Sequence, residues 1–135
     1  GTVAAAECDP AGDLELYQYV GRMSDSVVNL LARFQTEEEL SRRSSGVEGG
    51  ALVELRVAFH GTLRAGSSFT LHSGVAATGR KTQHFVHLFF DEASRSCVAT
   101  AQGIAVAMDL KTRKAIDLPE DRRRRIEAGL LRLRR

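Results

Sequence analysis

Between positions 14 and 34 apolar residues recur at steps of three and four: Leu16, Val20, Met23, Val27, Leu30 or Leu31, and Phe34. Such a stripe predicts one long helix from about Leu14 to Phe34, with Arg22, Asp25, Asn29 and Arg33 off its apolar face. Asp13 stands where a side-chain oxygen accepts the orphan amides of a first turn, so it is the predicted N-cap. The polar run Glu37-Glu38-Glu39, then Ser44-Ser45-Gly46 and Gly49-Gly50, reads as a flexible connection.

After Gly50 the period drops to two. Val53, Leu55, Val57 and Phe59 alternate with Glu54, Arg56 and Ala58, the pattern of a half-buried strand. Phe69, Leu71, Ser73 and Val75 predict a second strand, Gln83 to Phe90 a third, and Cys97 to Leu110 a long fourth. A short strand over about Thr2 to Cys8 is expected ahead of the helix, and Pro119 opens a basic C-terminal helix. Consecutive strands with short links pair antiparallel. One helix against such a sheet is an α+β layer architecture. The fourth strand places Cys97, Ala99, Ala101, Gly103, Ala105 and Ala107 on one face. Side chains this small predict close approach by the stripe of Val20, Met23 and Val27.

With 135 residues, 43% of them hydrophobic, the chain reads as one domain, residues 1–135, able to bury a core of its own. No apolar run reaches the length that crosses a bilayer. No basic segment followed by an apolar one opens the sequence, so no signal peptide is expected and a cytoplasmic location is inferred. Cys8 and Cys97 lack the spacing of a metal knuckle or redox pair and read as reduced thiols.

A net charge of +2 is too small to argue for nucleic acid. Arg122 to Arg125, Arg132, Arg134 and Arg135 crowd the C-terminus between Ile126, Leu130, Leu131 and Leu133. Without an accompanying aromatic, they read as the solvated face of an amphipathic helix, and neither nucleic acid nor membrane is expected as a partner. His84 and His87 fall on opposite faces of one strand, His72 stands alone, and no group has zinc-ligand spacing, so no metal is expected.

Taken by itself, Asp9-Pro10-Ala11-Gly12 is a turn. In context, Asp9 to Tyr19 resembles the segment that enters the helix in acyl-CoA thioesterases of the 4-hydroxybenzoyl-CoA thioesterase type, with Asp9, Gly12 and Tyr19 at matching positions. Phe59-His60-Gly61-Thr62-Leu63-Arg64-Ala65-Gly66 resembles that family's connection between strands, and Gly79-Arg80-Lys81-Thr82 a later turn. Asp13, Glu15 and Thr62 depart from the family pattern, which has His, Asn and Pro there.

The resemblance implies the hotdog fold, one long helix wrapped by an antiparallel sheet of about five strands. It also implies hydrolysis of an acyl-CoA thioester to the free acid and coenzyme A. Asp9 would attack the thioester carbonyl or activate water. Gly12 would let backbone approach closely, and free amides at the helix start would bind the developing oxyanion. Asp13 and Glu15 read first as cap and first-turn acids, with a secondary catalytic role as the alternative. Tyr19 is a candidate for the acyl pocket or for the core, and His60 for the substrate channel or the surface. Arg64, Arg80 and Lys81 sit at strand connections, where they would meet coenzyme A phosphates or remain solvated turn charges. No cofactor is implied beyond coenzyme A as part of the substrate. A single unit implies a homodimer, or dimers paired into a tetramer, with the site shared between subunits. The alternatives are a non-catalytic acyl-CoA-binding hotdog module and a hotdog dehydratase or hydratase.

Overall fold

The computed structural model of the protein describes residues 1–130. Its centre is α1, Leu16–Ala32, lying on one face of an antiparallel sheet. The main strands are β1 (Glu48–Phe59), β2 (Phe69–Thr78), β3 (Thr82–Asp91) and β4 (Ser96–Asp109), in the order β1-β4-β3-β2. A two-residue β5, Lys114–Ala115, adds to β4. Two shorter helices, α2 (Glu37–Ser44) and α3 (Glu120–Ala128), complete the layer. The α+β class and the four consecutive strands agree with the sequence reading.

Several expectations are corrected. Thr2 to Cys8 is not a strand: Thr2 bridges Ser68, Val3 is buried, and the chain then turns as a 3-10 helix over Ala5–Glu7. Glu7 accepts the Ala4 amide at 2.8 Å, which bends the backbone away from any ladder. Asp13 is not the N-cap of α1. It bridges Arg64, and Leu14 bridges Cys8, so both are held extended and the helix begins after them. Glu15 occupies the N-cap without a side-chain cap bond. The polar run after Phe34 is α2 rather than a linker, started by a capping box in which Thr36 and Glu39 satisfy each other's amides.

The buried residues of α1 are Tyr19, Met23, Leu30 and Leu31, so the helix is rotated from the predicted stripe and Leu16 is left 57% exposed. Tyr19 and Met23 join Leu63, Phe69, Phe89, Ala99 and Ala101 in one core cluster. Leu30 and Leu31 join Val75, Phe85 and Ile126 of α3 in a second. A bulge between Leu52 and Glu54 shifts the register of β1, so Val53 leaves the alternating set and is 61% exposed. Leu131 to Arg135, the end of the predicted basic helix, lie outside the described residues.

Candidate functional site

The loop before α1 is closed on itself. Asp9 N–H donates to Asp13 O at 2.9 Å and Gly12 N–H to Asp9 O at 2.9 Å. The Asp9 carboxylate accepts through Oδ1 from the amides of Ala11, at 2.9 Å, and Asp13, at 3.0 Å. Pro10 follows the carboxylate with its fixed φ, and Gly12 takes φ +88°, which L side chains avoid. A Cβ at Gly12 would also lie 3.1 Å from Nη2 of Arg64. The backbone conformation therefore requires the glycine, and a side chain there would press on the Arg64 guanidinium.

Arg64 reaches across from the connection between β1 and β2. It donates to Ala11 O at 2.8 Å and stands 3.2 Å from Asp13 Oδ1. The second contact is an ion pair without hydrogen-bond geometry, so the buried Oδ1 has no donor among the described residues. Leu14 N–H donates to Leu63 O at 2.8 Å, and Ala65 N–H to Gly12 O at 3.1 Å. Two segments that carry the resemblance, 53 residues apart at the Arg64–Ala11 bond, thus form one unit.

Tyr19 completes this unit from inside. Its hydroxyl accepts the Leu63 amide at 3.1 Å, and its ring stands edge-on to Phe59 and Phe89, each centroid 5.1 Å away. Burial, the largest influence, pushes its phenol above the ordinary range. Tyr19 is a core residue of the helix-to-connection joint. Of the remaining predicted residues, His60 is exposed, with Nε2 3.5 Å from Thr100 Oγ1. Arg80 and Lys81 meet Asp117 at 3.0 and 2.9 Å and hold its carboxyl below the ordinary range. The structure therefore brings Asp9, Gly12, Asp13 and Arg64 together, and sets Arg80 and Lys81 in a separate surface cluster.

A second feature was not legible in the sequence. A cavity of about 290 Å³ lies between the C-terminal part of α1 and the sheet. Val20, Val27 and Leu31 form its roof, and Phe85, Gly103 and Ala105 part of its floor. The small residues of β4 therefore act differently along their length. Ala99 and Ala101 are packed in the core cluster that holds Tyr19 and Met23, whereas Gly103, under Leu52, and Ala105, at the edge of the second cluster, line the cavity. His87 also lines the cavity and is 3% exposed. Its Nδ1 lies 2.6 Å from Ser73 Oγ, which in turn accepts from Ser26 Oγ of α1 at 2.5 Å. Burial lowers the pKa of His87 from 6.5 to about 4, so the ring is neutral at neutral pH. None of Asp9, Gly12, Asp13, Glu15, Tyr19, His60, Arg64, Arg80 or Lys81 lines this space.

A helix lying across an antiparallel sheet of this order is the hotdog fold. The sequence matches the thioesterase-like superfamily over residues 3–126, and the chain belongs to that superfamily. Among solved structures it is similar to a Staphylococcus aureus protein in complex with CoA, at 17% identity and a TM-score of 0.84, covering 99% of this chain and 85% of that one. It is also similar to a 1,4-dihydroxy-2-naphthoyl-CoA thioesterase from Synechocystis, at 19% identity and a TM-score of 0.78, covering 93% and 91%. A probable thioesterase from Escherichia coli matches at 16% identity and a TM-score of 0.78, covering 97% and 96%. No curated protein matches the sequence. No helix among the described residues is long and apolar enough to cross a membrane.

Proposed function

We propose that this protein is an acyl-CoA thioesterase in which Asp9 attacks the thioester carbonyl or activates the hydrolytic water. The observation that carries the reading is the position of Asp9. Its carboxylate is fixed through Oδ1 by two backbone amides, in the loop that leads into a helix whose N-terminus has no side-chain cap. Oδ2 has no hydrogen-bond partner among the described residues, which leaves it to face a substrate. Uncapped amides at the start of α1 carry partial positive charge and suit the oxyanion that develops on the thioester oxygen. Hydrolysis then adds water across the C–S bond, and the thiol leaves with a proton. Membership of the thioesterase-like superfamily and the CoA-bound neighbour support the same chemistry. For the coenzyme A phosphates, Arg64 is the best placed of the three predicted cations, since its side chain is 62% exposed beside the Asp9 loop.

The working unit in this reading is a homodimer. β1 is an edge strand, and Leu52, Val53 and Phe59 on it are 53%, 61% and 47% exposed. Leu16 and Tyr17, at the helix start near Asp9, are 57% and 61% exposed. A second copy paired along β1 would cover this apolar surface and bring the Asp9 loop of one subunit toward the other's strands.

Asp9→Asn is the direct test. Asparagine keeps an oxygen to accept the Ala11 and Asp13 amides, so the turn survives while the charge is removed. Turnover of acyl-CoA is expected to fall roughly 100-fold or more, with unchanged melting behaviour. Full activity in Asp9→Asn together with a dead Glu15→Gln would move the chemistry to Glu15. Wild-type protein that binds acyl-CoA and releases no thiol would instead make this a binding module, in which Asp9 serves only its turn.

A further inference from the structure

Gly12 gives the Asp9 loop its turn at φ +88° and also a weak point. With no Cβ to restrict it, the backbone there is held only by what it bonds to. Ala11 donates its amide to Asp9 Oδ1 at 2.9 Å, and its carbonyl accepts from Nη2 of Arg64 at 2.8 Å. Asp13 repeats the arrangement. Its amide donates to the same Oδ1 at 3.0 Å, and its carboxylate stands 3.2 Å from Nη1 of Arg64. The two residues whose amides fix the Asp9 carboxylate are therefore the two that one guanidinium holds.

Arg64 reaches the loop from a fixed base. Its own amide donates to Ser67 Oγ at 3.1 Å, and the Ser67 amide returns a bond to Arg64 O at 2.9 Å. Gly66 closes this turn with φ +86° and donates at 2.9 Å to O of Val3, a residue 2% exposed. A planar fork that meets two acceptors at once suits arginine and not the point charge of lysine. We propose that Arg64 is a positioning residue for Asp9: through Ala11 and Asp13 it sets the angle at which the carboxylate meets the thioester. This role rests on the catalytic reading of Asp9 and deepens it. Asp13, which stands where the family pattern has His, anchors the guanidinium in place. The remaining hydrogens of Arg64 stay available to a coenzyme A phosphate, so the two tasks need separate readouts.

The first readout compares wild type, Arg64→Ala and Arg64→Lys on an acyl-CoA and on the matching acyl-pantetheine, which carries no phosphate. Turnover should fall roughly tenfold to 100-fold in Arg64→Ala, the scale for a reacting group misplaced by about 1 Å. The loss should be the same factor on both substrates and lie in kcat rather than KM. Arg64→Lys should recover only part of it. A loss confined to acyl-CoA and to KM would make Arg64 a phosphate ligand and overturn the proposal, as would an unchanged kcat on both substrates. The second readout needs no turnover. In ¹H–¹⁵N spectra the Ala11 and Asp13 amides of the wild type should shift together as acid protonates Asp9, and Asp9→Asn should lose that response. Arg64→Ala should weaken it at both amides, and an unaltered response would overturn the proposal. Arg64→Lys, expected to weaken it less, replaces the alanine variant should that one not fold. A protein inactive on every thioester would lose the activity proposed above, and the amide response alone would then decide whether Arg64 holds the carboxylate.

Discussion

Ser73 Oγ stands 2.6 Å from Nδ1 of His87, joining β2 to β3 across the ladder and holding a neutral imidazole beside the cavity beneath α1. Burial takes the folded pKa of His87 from 6.5 to about 4. The unfolded chain therefore binds the extra proton between those values. Stability from the neutral ring is complete above pH 6.5 and is lost as the pH falls toward and through 4, by about 3 kcal/mol in all. Urea unfolding of the wild type should weaken from pH 7 to 4.5, and His87→Gln should show a smaller drop. Imidazole NMR resonances of His87 that titrate near 6.5 would contradict the burial argument.

Tyr19 is read as structural because its hydroxyl accepts the buried Leu63 amide. Tyr19→Phe keeps the ring contacts with Phe59 and Phe89 and leaves that amide unpaired. A loss of about 1–3 kcal/mol is expected in chemical denaturation. An undiminished midpoint would mean that water replaces the hydroxyl.

Arg122 is the buried tie between α3, α2 and β1, paired with Glu39 and Glu48, and its side chain is 4% exposed. Arg122→Met removes the cation and strands the Glu48 carboxylate, while Glu39 keeps Arg125, with an expected loss of about 3–5 kcal/mol. Adding Glu48→Met should recover part of it. A double variant weaker than the single one would show that the carboxylate serves contacts beyond the ion pair.

Ala101 and Ala105 share one face of β4 but meet different surroundings. Ala101→Leu overpacks the cluster around Tyr19 and Met23 and should cost about 1–3 kcal/mol. Ala105→Val adds its methyl groups at the edge of the cavity, so thermal unfolding should change less. Equal destabilisation by both would mean that the cavity closes in solution.

The dimer reading predicts a mass of at least twice 14.7 kDa by light scattering at micromolar concentration. Val53, in the bulge of β1 and 61% exposed, is the place to break it. Val53→Lys should give a folded monomer with much reduced turnover. A wild type that is monomeric and fully active would remove the shared-site model.

The helix and the four main strands were legible because their signals are local: a step of three or four along α1, and a step of two along β1 to β4. Asp9-Pro10-Ala11-Gly12 likewise carried its own turn, since proline and glycine restrict the backbone whatever surrounds them. The Thr36-x-x-Glu39 capping box was also present in the sequence, but three consecutive glutamates obscured it as the start of a helix. Partners distant in sequence were not legible. Nothing near Arg64 announces that it will cover Gly12 and meet Asp13, or near Arg80 and Lys81 that Asp117 will neutralise them. The alternation of β3 separated His84 from His87, but only the packing of α1 decided that His87 faces inward. The same packing set the depth of the helix over β4. It closed on Ala99 and Ala101 and left Gly103 and Ala105 at the edge of the cavity, because Tyr19 is locked to Leu63 at one end while Leu30 and Leu31 rest on Val75, Phe85 and Ile126 at the other.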